Sequence, residues 1–270
     1  PVVINKMVKA EDVTVIFKKG MFGKEIKALN RINIEVKRGD FFGLVGRNGA
    51  GKSTAMYTFL GLIKPYEGDI RIFDEKPYLG SPIYEKIAYL PEEPHYHNYL
   101  TVEEALFYYS NLYNSKFSYV DIKNTLKKYG LYDFRYLKIS KCSKGMKQKL
   151  GIAQCFIKRT ELIFLDEPTR GLDPITVKEL RDNLKELNDK GVTIVMNTHL
   201  LSEIEMLANR IAIIDRGRVV IQDTLQNILK NPKQRGVLGE YYLETVLKNV
   251  LPPSAYQMQY SFKDGSIVDA

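Results

Sequence analysis

A chain of 270 residues, 44% hydrophobic and 27% charged, is long enough to bury a sizeable core and too apolar to be disordered throughout. No run approaches the ~20 consecutive apolar residues of a membrane-spanning helix, and Pro1 to Lys6 lacks the layout of a secretory signal, so a soluble, cytoplasmic setting is expected. The formal charge of +8 leaves nucleotide, acidic lipid and nucleic acid open as anionic partners, while two cysteines, Cys142 and Cys155, argue against a disulfide framework and are expected as small buried residues within one helix.

In chain order, Val13–Phe17 and Ile32–Val36 are rich in β-branched residues and read as strands, the second ending at the turn Arg38-Gly39-Asp40. Phe41–Val45 is a compact apolar run with the pattern of a strand buried on both faces, and Leu162–Leu165 and Val192–Met196 repeat it. Helical patterns separate these runs, which predicts parallel strands joined by crossover helices. From roughly residue 95 to 158, most plainly between Thr101 and Lys158, the chain is helical, and this is read as an inserted helical subdomain. Ile211–Asp215 and Arg218–Ile221, either side of Arg216-Gly217, read as a hairpin closing the core. The expected fold is α/β: a mainly parallel sheet with an N-terminal antiparallel β part and the helical insert, together spanning 1–230. The extension over 231–270 carries Tyr242, Val246 and Val250 on one helical face, then alternation at Tyr256, Met258, Tyr260 and Phe262 that predicts a strand.

Gly46-Arg47-Asn48-Gly49-Ala50-Gly51-Lys52-Ser53 fits the phosphate-loop pattern G-x-x-x-x-G-K-[ST], with a buried strand before it and a helix from Thr54 onward. The glycines let backbone N–H groups turn inward around phosphate oxygens at the positive end of that helix. Lys52 would then reach the β- and γ-phosphates of a nucleotide, and the Ser53 hydroxyl would ligate Mg²⁺. The run Leu162–Leu165 ends in Asp166 and Glu167, at the strand edge where open α/β sheets place their sites. Asp166 is delivered to the Mg²⁺, and Glu167, one residue on, faces the attacking water. Two acids alone are equally consistent with a solvated strand end; the phosphate loop decides between the readings. Further on, Ser143 is placed to cap a helix whose apolar face is Met146, Leu150, Ala153 and Ile157. Its free N–H groups, around Ser143 and Gly145 and ringed by Lys138, Lys141, Lys144, Lys147 and Lys149, form an anion site; the plainer alternative is a lysine-rich solvated helix.

In this order the motifs resemble those of ABC transporter ATPases. Cys142-Ser143-Lys144-Gly145-Met146-Lys147-Gln148 is similar to the family signature, usually LSGGQ. Thr169-Arg170-Gly171-Leu172-Asp173 resembles the D-loop, which in the family meets the partner subunit. Thr198-His199 resembles the switch histidine that contacts the γ-phosphate. Phe17, ahead of Phe22, stands where the family stacks an aromatic ring on adenine, although a strand Phe is usually core. Two departures stand out: Glu92, in Tyr89-Leu90-Pro91-Glu92, replaces the usual Q-loop glutamine near the metal, and the signature has Lys144 and Met146 where Gly and Gln are commonest. Both look like variations of the ABC-2 type exporter ATPases. The resemblance covers roughly Val8 to Asp223. It implies ATP hydrolysis with Mg²⁺, Glu167 as general base, and Lys52 and His199 on the phosphates. It also implies a head-to-tail homodimer or heterodimer in which Ser143 and Gly145 complete the other subunit's site. A membrane-spanning transporter subunit would be received by the helical subdomain and the Glu92 loop, placing the protein on the inner face of the cell membrane. An importer motor, or an ABC ATPase acting on nucleic acid or the ribosome, remain alternatives; nucleic acid is not expected, because a second cassette, long coiled coils and zinc motifs are missing. His95 and His97 read as an H-x-H metal pair or as a plain surface loop.

Overall fold

The three apolar runs lie side by side as parallel strands, Phe41–Val45 (β3), Leu162–Asp166 (β6) and Thr193–Thr198 (β7), in the order β6-β7-β3. The computed structural model describes residues 5–18, 25–112, 117–158, 160–239, 260–261 and 267–268. Ile87–Leu90 (β5) adds a parallel edge beside β6; at the other side Arg210–Asp215 (β8) pairs parallel with β3 and antiparallel with Arg218–Thr224 (β9). The sheet order is therefore β5-β6-β7-β3-β8-β9.

Successive side chains of a strand point to opposite faces, and here both faces are covered. Phe41, Val45, Ile163, Leu165, Ile194 and Met196 enter one core, while Phe42, Leu44, Leu162, Phe164 and Val195 enter the other. The first core is closed by helices Val102–Leu112 (α2), Tyr119–Lys128 (α3), Lys144–Lys158 (α4) and Pro174–Asp189 (α5), and by Ile204 of Leu201–Leu207 (α6). The second core holds Lys52–Phe59 (α1) beneath an antiparallel sheet of order β2-β1-β4, formed by Glu25–Lys37 (β2), Lys6–Lys18 (β1) and Glu67–Ile72 (β4). Ile228 of Leu225–Lys230 (α7) and Leu238, in a helical stretch over 232–239, pack on the first core. Tyr260–Ser261 (β10) and Ile267–Val268 (β11) pair antiparallel. Phe22, Tyr242, Val246, Val250, Tyr256, Met258 and Phe262 lie outside the described residues.

The structure departs from the sequence reading in three places. Strands β4 and β5 were not anticipated: β4 opens with Glu67, Gly68 and Asp69, and β5 is only four residues long. Strands β1 and β2 extend to 13 residues each, carried through register shifts at which Asp12 and Arg31 adopt positive φ. Cys142 lies outside α4, in extended backbone, because Ser143 takes the cap position of a helix that starts at Lys144; only Cys155 is inside it.

Candidate functional site

Parallel register brings the ends of three strands together. Val45 lies opposite Thr198, and Asp166 opposite Asn197, so the loop after β3, the acids after β6 and the histidine after β7 share one sheet edge. The loop is held by backbone hydrogen bonds: the Gly217 N–H, from the β8–β9 turn, donates to the Ala50 carbonyl at 2.8 Å, and the Ala55 N–H to Gly51 at 2.8 Å. A side chain at Gly46 would run into the Ile214 carbonyl, and Gly51 has φ of 109°. Helix α1 therefore begins at Lys52 with no side-chain cap and no acid in its first turn. Its free N–H groups open into a cleft of about 500 Å³ lined by Asn48, Gly49, Gly51, Lys52, Ser53, Thr54, Glu92, Glu167 and Arg170, with Ile26 to Ala28 and Arg216-Gly217 as side walls. Uncapped amides at a helix start, with the dipole behind them, favour an anion.

Lys52 is buried, and its Nζ donates to the Gly46 carbonyl at 2.7 Å and the Arg47 carbonyl at 3.1 Å. Burial holds its pKa below the usual lysine range, against the opposing pull of Glu167 and Asp166. Ser53 Oγ donates to Asp166 Oδ1 at 3.4 Å, and the Tyr57 hydroxyl to Oδ2 at 3.4 Å. Burial raises the Asp166 pKa, opposed by the Asn197 hydrogen bond and assisted by the nearby Glu167 charge. Glu167 is buried with φ of 46°, an uncommon conformation for a residue with a side chain, and its N–H donates to the Asn197 carbonyl at 2.9 Å. One of its carboxylate oxygens lies 2.7 Å from His199 Nδ1, which leaves the other ring nitrogen of His199 for a second contact.

Among the described residues no group of three or more His, Cys, Asp and Glu could hold a metal. The Ser53 hydroxyl beside the Asp166 carboxylate is nevertheless a suitable hard-oxygen pair for Mg²⁺, an ion held through one or two carboxylates plus phosphates and its own waters. Glu92 lines the same cleft, yet its carboxylate pairs with Arg170 at 2.9 Å and, more loosely, with Lys144 at 3.9 Å. Ser143 and Gly145 do not line this cleft: Ser143 Oγ accepts from the Met146 N–H at 3.2 Å at the start of α4, and Gly145 lies against Thr176 and Leu172. Phe17 is half-exposed on β1 and pairs across to Ile26, which does line the cleft. Asp173 caps α5 by accepting from the Ile175 and Thr176 N–H groups. His97 packs its ring on Tyr99 and edge-to-face on Tyr108, the arrangement of a surface aromatic cluster.

Three residues that the sequence reading left without a chemical role are prominent here. Arg170 is the charge partner of Glu92, Tyr57 reaches Asp166 from α1, and Asn197 reaches both Asp166 and Ser53 from β7. The available signal for Asn197 was an amide directly after the apolar run Ile194–Met196.

The family profile described as ABC transporter matches residues 29–170. A second profile, of the RmuC family, matches 175–270, under half of the chain and over strands that share the sheet carrying the phosphate loop. The bacitracin transport ATP-binding protein BcrA of Bacillus licheniformis is 36% identical over 237 residues, 86% of this chain and 74% of that protein. A fluoroquinolones export ATP-binding protein of Mycobacterium tuberculosis is 34% identical over 215 residues, 79% of this chain and 71% of that protein. Among solved structures, an ATP-binding subunit of an ABC transporter superposes with a TM-score of 0.74 at 30% identity, covering 88% of this chain and 98% of that one. A dimeric post-hydrolysis state of the cassette MJ0796 bound to ADP and Pi gives a TM-score of 0.72 at 28% identity, covering 81% and 99%.

Proposed function

The chain belongs to the ABC transporter family of ATP-binding subunits, and from that premise we propose that it hydrolyses ATP in the cleft beneath Lys52 and drives an exporter embedded in a membrane. The observation that carries the reading is the convergence of the uncapped start of α1, the Ser53–Asp166 pair and Glu167 on one sheet edge. The α1 amides and Lys52 bind the phosphates, with Gly46, Arg47 and Ala50 shaping the loop and Asn48, Gly49, Gly51 and Thr54 lining it. Phe17 takes the adenine side. Ser53 and Asp166 would hold Mg²⁺, which would supply charge neutralisation to the phosphates when bound, with Glu92, on the wall of the same cleft, as a further acid toward it. Glu167 accepts a proton from the attacking water. His199 fixes the Glu167 carboxylate through Nδ1 and offers its other nitrogen to the γ-phosphate.

Ser143 and Gly145, outside their own cleft, complete the site of a second, head-to-tail subunit; that the MJ0796 cassette is dimeric supports the pairing of two subunits. We assign 1–230 to the ATPase domain, with 95–158 as its helical subdomain and 231–270 as an extension. The partner is a membrane-spanning transporter subunit docking on the helical subdomain beside the Glu92 loop, which holds the protein at the inner face of the membrane. Among the described residues no helix is long and apolar enough to cross a membrane. The export role in the name of the fluoroquinolones relative supports export over import.

The test is Glu167→Gln. Its amide keeps the shape of the site but cannot take a proton, so ATP affinity by calorimetry should match that of the unsubstituted protein while steady-state phosphate release stops. Turnover at an unsubstituted rate would remove Glu167 from this role.

A further inference from the structure

Within strand β7, directly after the apolar run Ile194–Met196, Asn197 is fully buried. Its amide Nδ2 donates to Asp166 Oδ1 at 2.5 Å and to Ser53 Oγ at 3.2 Å, so one neutral group touches both oxygens assigned to the metal. Its carbonyl Oδ1 is buried with no hydrogen-bond partner, a situation that stability alone does not favour. The backbone of the same residue accepts the Glu167 N–H at 2.9 Å. Asn197 thus fixes the orientation of the first acid through its side chain and the position of the second through its carbonyl.

We propose that Asn197 is the positioning residue of the metal site, an inference that rests on the nucleotide reading above. Of the three side chains that donate to the Asp166 carboxylate, Asn197 makes the shortest contact, 2.5 Å against 3.4 Å for the Ser53 and Tyr57 hydroxyls, and so sets its orientation most strongly. Because the donor is an amide, it does this without adding charge beside the metal and the phosphates; an aspartate would add a like charge, and a leucine would leave Asp166 held only by the longer Ser53 and Tyr57 contacts. Groups that orient a ligand in this way typically change metal affinity by about 10–100-fold when removed.

The experiment compares Asn197→Leu with the unsubstituted protein. Binding of a non-hydrolysable ATP analogue is measured by calorimetry with Mg²⁺ and with EDTA, and Mn²⁺ affinity in the presence of ADP by electron paramagnetic resonance. The expected result is metal-free nucleotide affinity within about threefold of the unsubstituted protein, and loss of about tenfold or more in both Mg²⁺-dependent tightening and Mn²⁺ affinity. Asn197→Ser, which retains a hydroxyl donor and places less bulk in β7, should fall between the two and serves as the test if the leucine variant does not fold. Lowered thermal stability with an unchanged metal increment would make Asn197 merely structural and overturn the proposal. If the unsubstituted protein itself shows no Mg²⁺-dependent tightening, the reading of the site fails first, and the assignment of Asn197 with it.

Discussion

Glu92 places a negative charge on the wall of a phosphate-binding cleft, where the resemblance leads one to expect a neutral amide. Such a charge strengthens coordination of a cation and opposes an incoming γ-phosphate, and the two effects have opposite sign at similar range. Arg170 and Lys144 tip the balance: they neutralise the carboxylate from outside, while Gln148 of α4 donates to the Glu92 carbonyl at 2.8 Å and holds the loop in place. The pair is about one-third exposed on the Glu92 side, so solvent screens it and its net contribution is small. A glutamine at this position still accepts from Arg170 through its amide oxygen. Glu92→Gln is therefore expected to retain ATP hydrolysis within about tenfold, a barrier change of ~1.4 kcal/mol or less, measured as steady-state phosphate release. A fall of three orders of magnitude would make Glu92 a principal acid or base and would displace Glu167 from that position.

At the scale of elements, one strand serves both core and chemistry. In β6, Leu162 and Phe164 face the core under α1, Ile163 and Leu165 face the helical side, and Asp166 follows at the end. Truncating Phe164 to alanine removes a fully buried ring between two sheets and is expected to cost about 3–5 kcal/mol of stability, read as a lower urea midpoint with an unchanged slope. A loss under ~1 kcal/mol would mean that this face collapses around the gap. The same double-sided burial is why β3, β6 and the apolar run Ile194–Met196 of β7 were legible in the sequence, since positions covered on both faces are mostly apolar, with the buried Thr193, Asn197 and Thr198 of β7 as exceptions. Strand β4 is covered on one side only, with Asp69 and Arg71 turned outward between Ile70 and Ile72, and so short an alternation resembles a loop. Asn197 escaped notice because an apolar run is naturally read as ending at its last apolar residue, Met196, whereas β7 continues to Thr198. The loop Gly46–Ser53 announced itself through its spacing. The left-handed backbone of Glu167 and the Glu92–Arg170 pair could not, because each depends on contacts between segments distant in sequence.

The whole molecule presents its nucleotide cleft and the start of α4 as separate places, and this separation makes a prediction about assembly. Ser143 caps α4 but does not line the cleft, and Lys144 reaches toward Glu92 from the same turn. If the start of α4 completes the cleft of a second copy, bulk at position 143 must obstruct the pairing of two copies while leaving each one's own phosphate loop intact. Ser143→Arg is the corresponding variant. Loss of the cap alone costs about 1 kcal/mol of helix stability, small enough for the fold to survive. The expected outcome is ATP affinity of the isolated chain within about twofold, and loss of the ATP-induced dimer seen by size-exclusion chromatography when both proteins carry Glu167→Gln to prevent turnover. A fold-change in binding of this size is under ~0.5 kcal/mol, well below the effect of removing a contact to phosphate, so the two outcomes separate cleanly. Should Ser143→Arg abolish ATP binding by the single chain, α4 would belong to the cleft of its own subunit, and the head-to-tail arrangement would have to be given up.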